Sequence, residues 1–154
     1  MQKELYLRIL DQFPNPIWRA ALDTKCDYFN KAWLSFTGRT IEQESGDGWV
    51  KGVHPEDLNS CVKTYLEAFK AREPFEMEYR LMHSDGTYHW LLDSGSPFFN
   101  DNGEFMGYIG SCYDINETKQ YILEIEKMNN FMVDRELKII EMKKEIEELK
   151  KNIK

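Results

Sequence analysis

Apolar positions along the chain change their spacing three times, and each change marks a new kind of element. Leu5, Ile9 and Phe13 recur every four residues with Tyr6 and Leu10 beside them, which predicts an amphipathic helix in segment 1–13. Pro14 and Pro16 end it, because the residue before a proline is pushed out of the helical region. Residues 17–22 and 26–29 read as two short strands about the turn Asp23-Thr24-Lys25. Asn30 predicts the N-cap of a helix over 31–36 that Gly38 closes, and Thr40 with Gln43 forms a capping box for another short helix. Pro55, Glu56 and Asp57 suit the first turn of a longer helix ending near Arg72, whose apolar face is Leu58, Cys61, Val62, Tyr65, Leu66 and Phe69.

From Phe75 the period falls to two. Phe75, Met77, Tyr79 and Leu81 share one strand face, while Glu76, Glu78 and Arg80 share the other as a solvated face with no catalytic role. Turns at 84–86 and 100–103 then define strands over 87–94 and 105–113, an antiparallel meander. Two strands, several helices and three strands predict an α+β fold, one five-stranded antiparallel sheet with helices on one face.

Beyond Asp114 the composition changes. The last proline is Pro97, the last glycine Gly110 and the last histidine His89, and the remainder is rich in Glu, Lys, Ile, Leu and Met, the composition of a long C-terminal α-helix. Ile125, Met132, Ile139, Ile146 and Ile153 fall at heptad position a, and Met128, Arg135, Met142 and Leu149 at position d. This alternation of three and four is the coiled-coil period, and Ile at a with Leu or Met at d favours a parallel two-stranded homodimer. Glu145 and Lys150 are spaced to pair across it. Arg135 is a charge in the seam, a weak point unless its stem snorkels outward.

The net charge of −7 resides before Ile115, because the nine acids after that point are matched by nine bases. An acidic globular part without a basic stripe is a poor nucleic-acid binder. No apolar run approaches the roughly eighteen residues of a membrane span, so no membrane partner is expected. Three scattered cysteines fit a reducing, cytoplasmic setting.

The stretches FPNPIWRA, YFNKAWLSFTGRTIEQ and GWVKGVHPEDL resemble the first half of a PAS domain. The stretch EPFEMEYRLMHSDGTYHWLLDSGSPFFNDNGEFMGYIGSCYDINE resembles its second half, the PAC motif, so that the likeness runs from about residue 5 to 117. It implies a sensory-box signalling domain over 14–117, of the kind that binds a small molecule, carries a prosthetic group or mediates dimerisation. The tail over 118–154 would then transmit the signal to an effector domain or partner of histidine kinase, cyclase or regulator type. Two departures stand out. The turn at Thr24 lacks the glycine common there, and the family's terminal Asp-Ile-Thr is Asp114-Ile115-Asn116 here, followed by Glu117.

Within such a fold the candidate cavity lining is Trp33, Phe36, Val62, Tyr65, Leu66, Phe69, Met77, Tyr79, Trp90 and Ile109. An apolar cavity of this kind could hold a hydrophobic ligand or nothing, which leaves a ligand-free dimerisation module as the alternative and a small-molecule enzyme as the weaker one. Asp114, Ile115 and Glu117 form the expected signal junction, with Asp114 capping the tail helix and Glu117 at the box position. The cofactor is unknown. Haem is not expected without a histidine inside the long helix, nor photoreactive flavin without an Asn-Cys-Arg-like motif. His54 reads as the residue closing a loop at the helix start, and His83 and His89 as surface residues flanking a hairpin, so no metal site is expected.

Overall fold

The computed structural model describes residues 2–153, with side chains from Leu5 onward; Met1 and Lys154, at the ends of the first and last expected segments, lie outside them. The chain divides into two compact units, Met1–Asn116 and Glu117–Lys154.

The first unit opens with helix α1 (Gln2–Leu10), followed by strands β1 (Ile17–Ala20) and β2 (Cys26–Phe29). Helices α2 (Lys31–Thr37) and α3 (Ile41–Glu44), a 3-10 turn (Gly48–Gly52) and helix α4 (Pro55–Ala71) come next, then strands β3 (Phe75–Met82), β4 (Tyr88–Phe99) and β5 (Phe105–Asp114). The strands form one antiparallel sheet in the order β2-β1-β5-β4-β3. The expected five-stranded sheet is thus the one found. Helices cover one face, where Trp33, Trp49, Cys61, Tyr65 and Phe69 pack onto Trp18, Ala20, Tyr79, Leu81, Leu91, Tyr108 and Cys112.

Asn30 carries more than its predicted cap. Its Oδ1 accepts from the Trp33 amide at 3.0 Å and from the Ile17 amide at 2.9 Å, while Nδ2 donates to the Leu10 and Asn15 carbonyls. One fully buried amide therefore ties α1, β1 and α2 together with every polar atom satisfied. The helix–strand junction at α4 is fastened from outside. Asp57 takes a bidentate pair from Arg80 at 2.7 Å and also accepts the Arg80 amide, closing over edge strand β3. Arg80 is thus paired rather than merely solvated, and its guanidinium lies over the Trp90 ring.

The turn after β1 shows what the missing glycine costs. Thr24 adopts φ +68°, a left-handed conformation that strains a β-branched residue. Tyr65 of α4 donates to the Thr24 carbonyl at 2.7 Å and holds the turn in place.

The second unit is the body of helix α5 (Asn116–Asn152), thirty-seven residues and about 55 Å at 1.5 Å each. None of its residues is buried.

Candidate functional site

The cavity of the first unit is lined by Trp18, Cys26, Phe29, Trp33, Trp49, Tyr65, Met77, Tyr79 and Asp93, and its volume is about 10 Å³. That is the space of one water at most, so the cavity is filled by its own aromatic walls. Its packing depends on two glycines paired across β4 and β5, Gly95 and Gly110. A Cβ at Gly110 would lie 2.3 Å from the Trp18 indole, and one at Gly95 would lie 2.4 Å from the Phe75 ring. These positions form a floor without side chains, on which the Trp18 and Phe75 rings stack 6.1 Å apart.

Asp93 is the polar centre of this site. It projects from β4 and is 3% exposed. Trp18 Nε1 from β1 donates to Oδ1 at 2.9 Å, and the Tyr79 hydroxyl from β3 donates to Oδ2 at 3.0 Å. Cys112 of β5 stands directly across the ladder from Asp93, and its thiol favours the ionised carboxyl. Burial raises the Asp93 carboxyl from 3.8 to about 6, and these partners offset only part of that rise. Burial also raises the Tyr79 and Cys112 groups well above their ordinary values, and pushes the Cys61 thiol up to about 12, so these are donors and packing groups rather than nucleophiles. A second buried carboxylate, Glu44, accepts from Trp33 Nε1 at 2.8 Å and pairs with Arg39, fixing the indole that forms one wall.

Of the expected lining residues, Trp33, Tyr65, Met77 and Tyr79 come together here. The others are elsewhere. Leu66 is 45% exposed, because the buried stripe of α4 is the narrow row Cys61, Tyr65 and Phe69. Val62 is half-buried beside that row, and Phe69 packs on Tyr108 and Phe105 rather than on the cavity. Trp90 and Ile109 lie on the opposite sheet face. Antiparallel register sets Trp90 across from Arg80, and Ile109 across from Arg19, on the side away from the helices. Phe36 packs edge-on against His83 and His89. Trp18, Cys26, Phe29, Trp49 and Asp93 were absent from the sequence-based lining. The alternation of Met77 and Tyr79 with Asp93 on the neighbouring strand becomes a signal only once register is known.

At the junction, the helix begins at Asn116, not directly after Asp114 as a cap at Asp114 requires. Asp114 Oδ1 accepts the Asn116 amide at 2.9 Å, while Oδ2 faces His89 Nδ1 at 2.8 Å. The Ile115 amide donates to the Trp90 carbonyl at 2.9 Å, which extends the β4–β5 ladder by one rung. Ile115 is half-buried and Glu117 is exposed. His83 and His89 are not isolated surface residues: their rings stack at 4.2 Å, and Asp85 reaches both. His54 accepts the Glu56 amide through Nδ1, the helix-closing role expected of it.

The seam residues Ile125, Met128, Met132, Ile139, Met142, Ile146, Leu149 and Ile153 are all exposed in the single chain, as is Arg135. Phe131, Val133, Leu137 and Ile140 are exposed as well and lie outside the seam, a broadening that the heptad reading did not include.

Comparison with known proteins places this geometry. The family described as PAS fold matches residues 27–112. An uncharacterized protein of Sinorhizobium fredii, y4lL, is 40% identical over 111 residues, which are 72% of this chain and 13% of that protein. Sporulation kinase C of Bacillus subtilis is 25% identical over 126 residues, 79% of this chain and 28% of the kinase. The chain therefore spans less than a third of either relative. Among solved structures, the N-terminal domain of a diguanylate cyclase with PAS/PAC sensor from Marinobacter aquaeolei superposes with a TM-score of 0.61 at 24% identity, covering 68% of this chain and 98% of that one.

Proposed function

Because this chain belongs to the PAS fold family, we propose that it is the sensory input of a larger signalling protein, reporting the state of its cavity through a dimeric parallel coiled coil. The observation that carries this reading is the uncovered 3-4 seam of α5, which grows directly out of β5. One chain leaves that apolar seam in water, and a second copy would bury it. The proposed route is short. Cys112 stands across the ladder from Asp93 of the cavity, and two residues later Asp114 accepts the first amide of α5. A change in cavity packing that shifts β5 would alter how α5 starts, and the coil would carry this as rotation or register shift to an effector domain or partner. A kinase or cyclase effector is the class that the relatives and structural neighbours suggest. No helix among the described residues is long and apolar enough to cross a membrane, which fits the cytoplasmic placement we assign.

The closed cavity favours a second reading, a ligand-free module that dimerises effector domains. With about 10 Å³ free, a ligand would have to displace aromatic side chains before it could bind. Light scattering and native mass spectrometry on one preparation test both readings. A dimer carrying a bound small molecule supports the sensor; a dimer with none at any concentration of candidate ligand supports the ligand-free module. A monomer at tens of micromolar removes the coiled coil from either.

A further inference from the structure

The hairpin between β3 and β4 gathers a set of groups that the sensory reading does not use. His83, Asp85 and His89 each offer one ligand atom, and these atoms all lie within 4.8 Å of one another. Their hydrogen bonds decide which atoms carry lone pairs. The Asp85 amide donates to His83 Nδ1 at 3.2 Å, so this nitrogen is an acceptor. In the neutral tautomer whose Nδ1–H donates to Asp114 Oδ2 at 2.8 Å, the His89 lone pair lies on Nε2. Asp85 is oriented in turn by the amide and hydroxyl of Thr87, at 2.8 and 2.7 Å on Oδ1. On neutral rings, two imidazole nitrogens thus face one carboxylate, and a cation entering between them would take the His83 Nδ1 lone pair from the Asp85 amide. His83 Nδ1 stands 3.2 Å from Asp85 Oδ1, and His89 Nε2 stands 3.3 Å from Asp85 Oδ2.

We propose that His83, Asp85 and His89 bind a divalent transition-metal cation, with Asp114 as the carboxylate that orients His89. Metal–ligand bonds of 2.0–2.2 Å at tetrahedral angles set ligand atoms about 3.4 Å apart, close to the two separations present. Two imidazoles and one carboxylate suit zinc, nickel, cobalt or copper, and are a poor match for magnesium, which takes oxygen ligands. A carboxylate on the far nitrogen of a ligating histidine is the usual outer support of such sites. Charge is also satisfied, since two neutral rings and two carboxylates neutralise one dication. Phe36 walls the site by packing edge-on against both rings. Lone pairs lie in their ring planes, and planes stacked at 13° do not aim both at one point, so binding requires one ring to tilt out of the stack. Asp85 is exposed, which leaves the remaining coordination positions to water. The expectation of no metal site followed from three histidines scattered in sequence; the hairpin removes the scatter for two of them.

The experiment uses the full chain stripped with a chelator, titrated calorimetrically with zinc chloride at pH 7.5, with magnesium chloride as control. One saturable zinc site per chain is expected, with no magnesium heat. His89→Ala and Asp85→Asn should each weaken zinc binding at least tenfold, and Asp114→Asn about tenfold. A measurement on the parent chain needs no variant: in the ring-proton NMR spectrum, zinc should shift the His83 and His89 resonances and leave His54 in place. Zinc binding of parental strength in the His83→Ala/His89→Ala double variant would overturn the assignment. So would no saturable binding below about 100 µM, or histidine shifts confined to His54.

Discussion

Replacing Asp93 by asparagine should make the sensory domain more stable at neutral pH and hardly change it in mild acid. The carboxyl titrates near 6 in the folded chain and near 3.8 when unfolded. That difference of about two pK units, at about 1.4 kcal/mol each, is worth about 3 kcal/mol. Its sign follows from proton uptake. Between pH 4 and 6 the folded state holds a proton that the unfolded chain has released, so stability falls as pH rises through this window. Below it, Asp93 is protonated in both states and carries no ionisation cost; above it the full cost applies. Asparagine keeps an oxygen to accept from Trp18, has nearly the same shape, and cannot ionise. The variant should therefore gain on the parent by about 3 kcal/mol between pH 4 and pH 7.5, after subtraction of any constant offset. Urea unfolding followed by tryptophan fluorescence reads the right unit, because Trp18, Trp33, Trp49 and Trp90 all precede α5. A difference that does not change with pH would mean that Asp93 is not buried as a costly charge. A difference running the other way would mean that its hydrogen-bond donors outweigh burial.

Two further outcomes follow from local geometry. Thr24→Gly removes a left-handed β-branched residue, so it should raise the domain's stability by about 1 kcal/mol in the same urea assay, provided the Tyr65 hydrogen bond survives. Asp114→Ala removes the acceptor of the Asn116 amide at a cost of about 1 kcal/mol, so hydrogen exchange should quicken at 116–130 and stay unchanged in the sheet; equal quickening everywhere would make Asp114 a residue of the core fold.

Local signals carried much of this architecture. Asn30, Gly38 and Pro55 stand where capping rules put them, and the period-two run from Phe75 became β3 without a shift. The cavity was legible only where one element decides burial, as at Trp33 and Tyr65. Asp93 was missed because its surroundings come from three other strands, with donors at 18 and 79 and a ladder partner at 112, and no local window holds them together. Trp90 and Ile109 were set on the wrong face because apolar character alone does not give strand phase; phase comes from register with Arg80 and Arg19. The histidine pair was separable from sequence as His-x-Asp-x3-His spanning a hairpin, but stacking across the turn is a matter of how that turn closes.

The paired glycines beneath Trp18 and Phe75 constrain the order in which descendants of this sequence can change. Alanine at 110 would meet the indole at 2.3 Å, so that substitution is closed while tryptophan stands at 18. A smaller residue at 18 must come first, and that step alone opens a hole and strips Asp93 of its indole donor. One order is costly but open, and the other is closed by the clash at 110. Positions 18, 93 and 110 should therefore evolve as a linked set, and a lineage that has once shrunk the residue at 18 and filled 110 would find the way back to tryptophan blocked by a single methyl group.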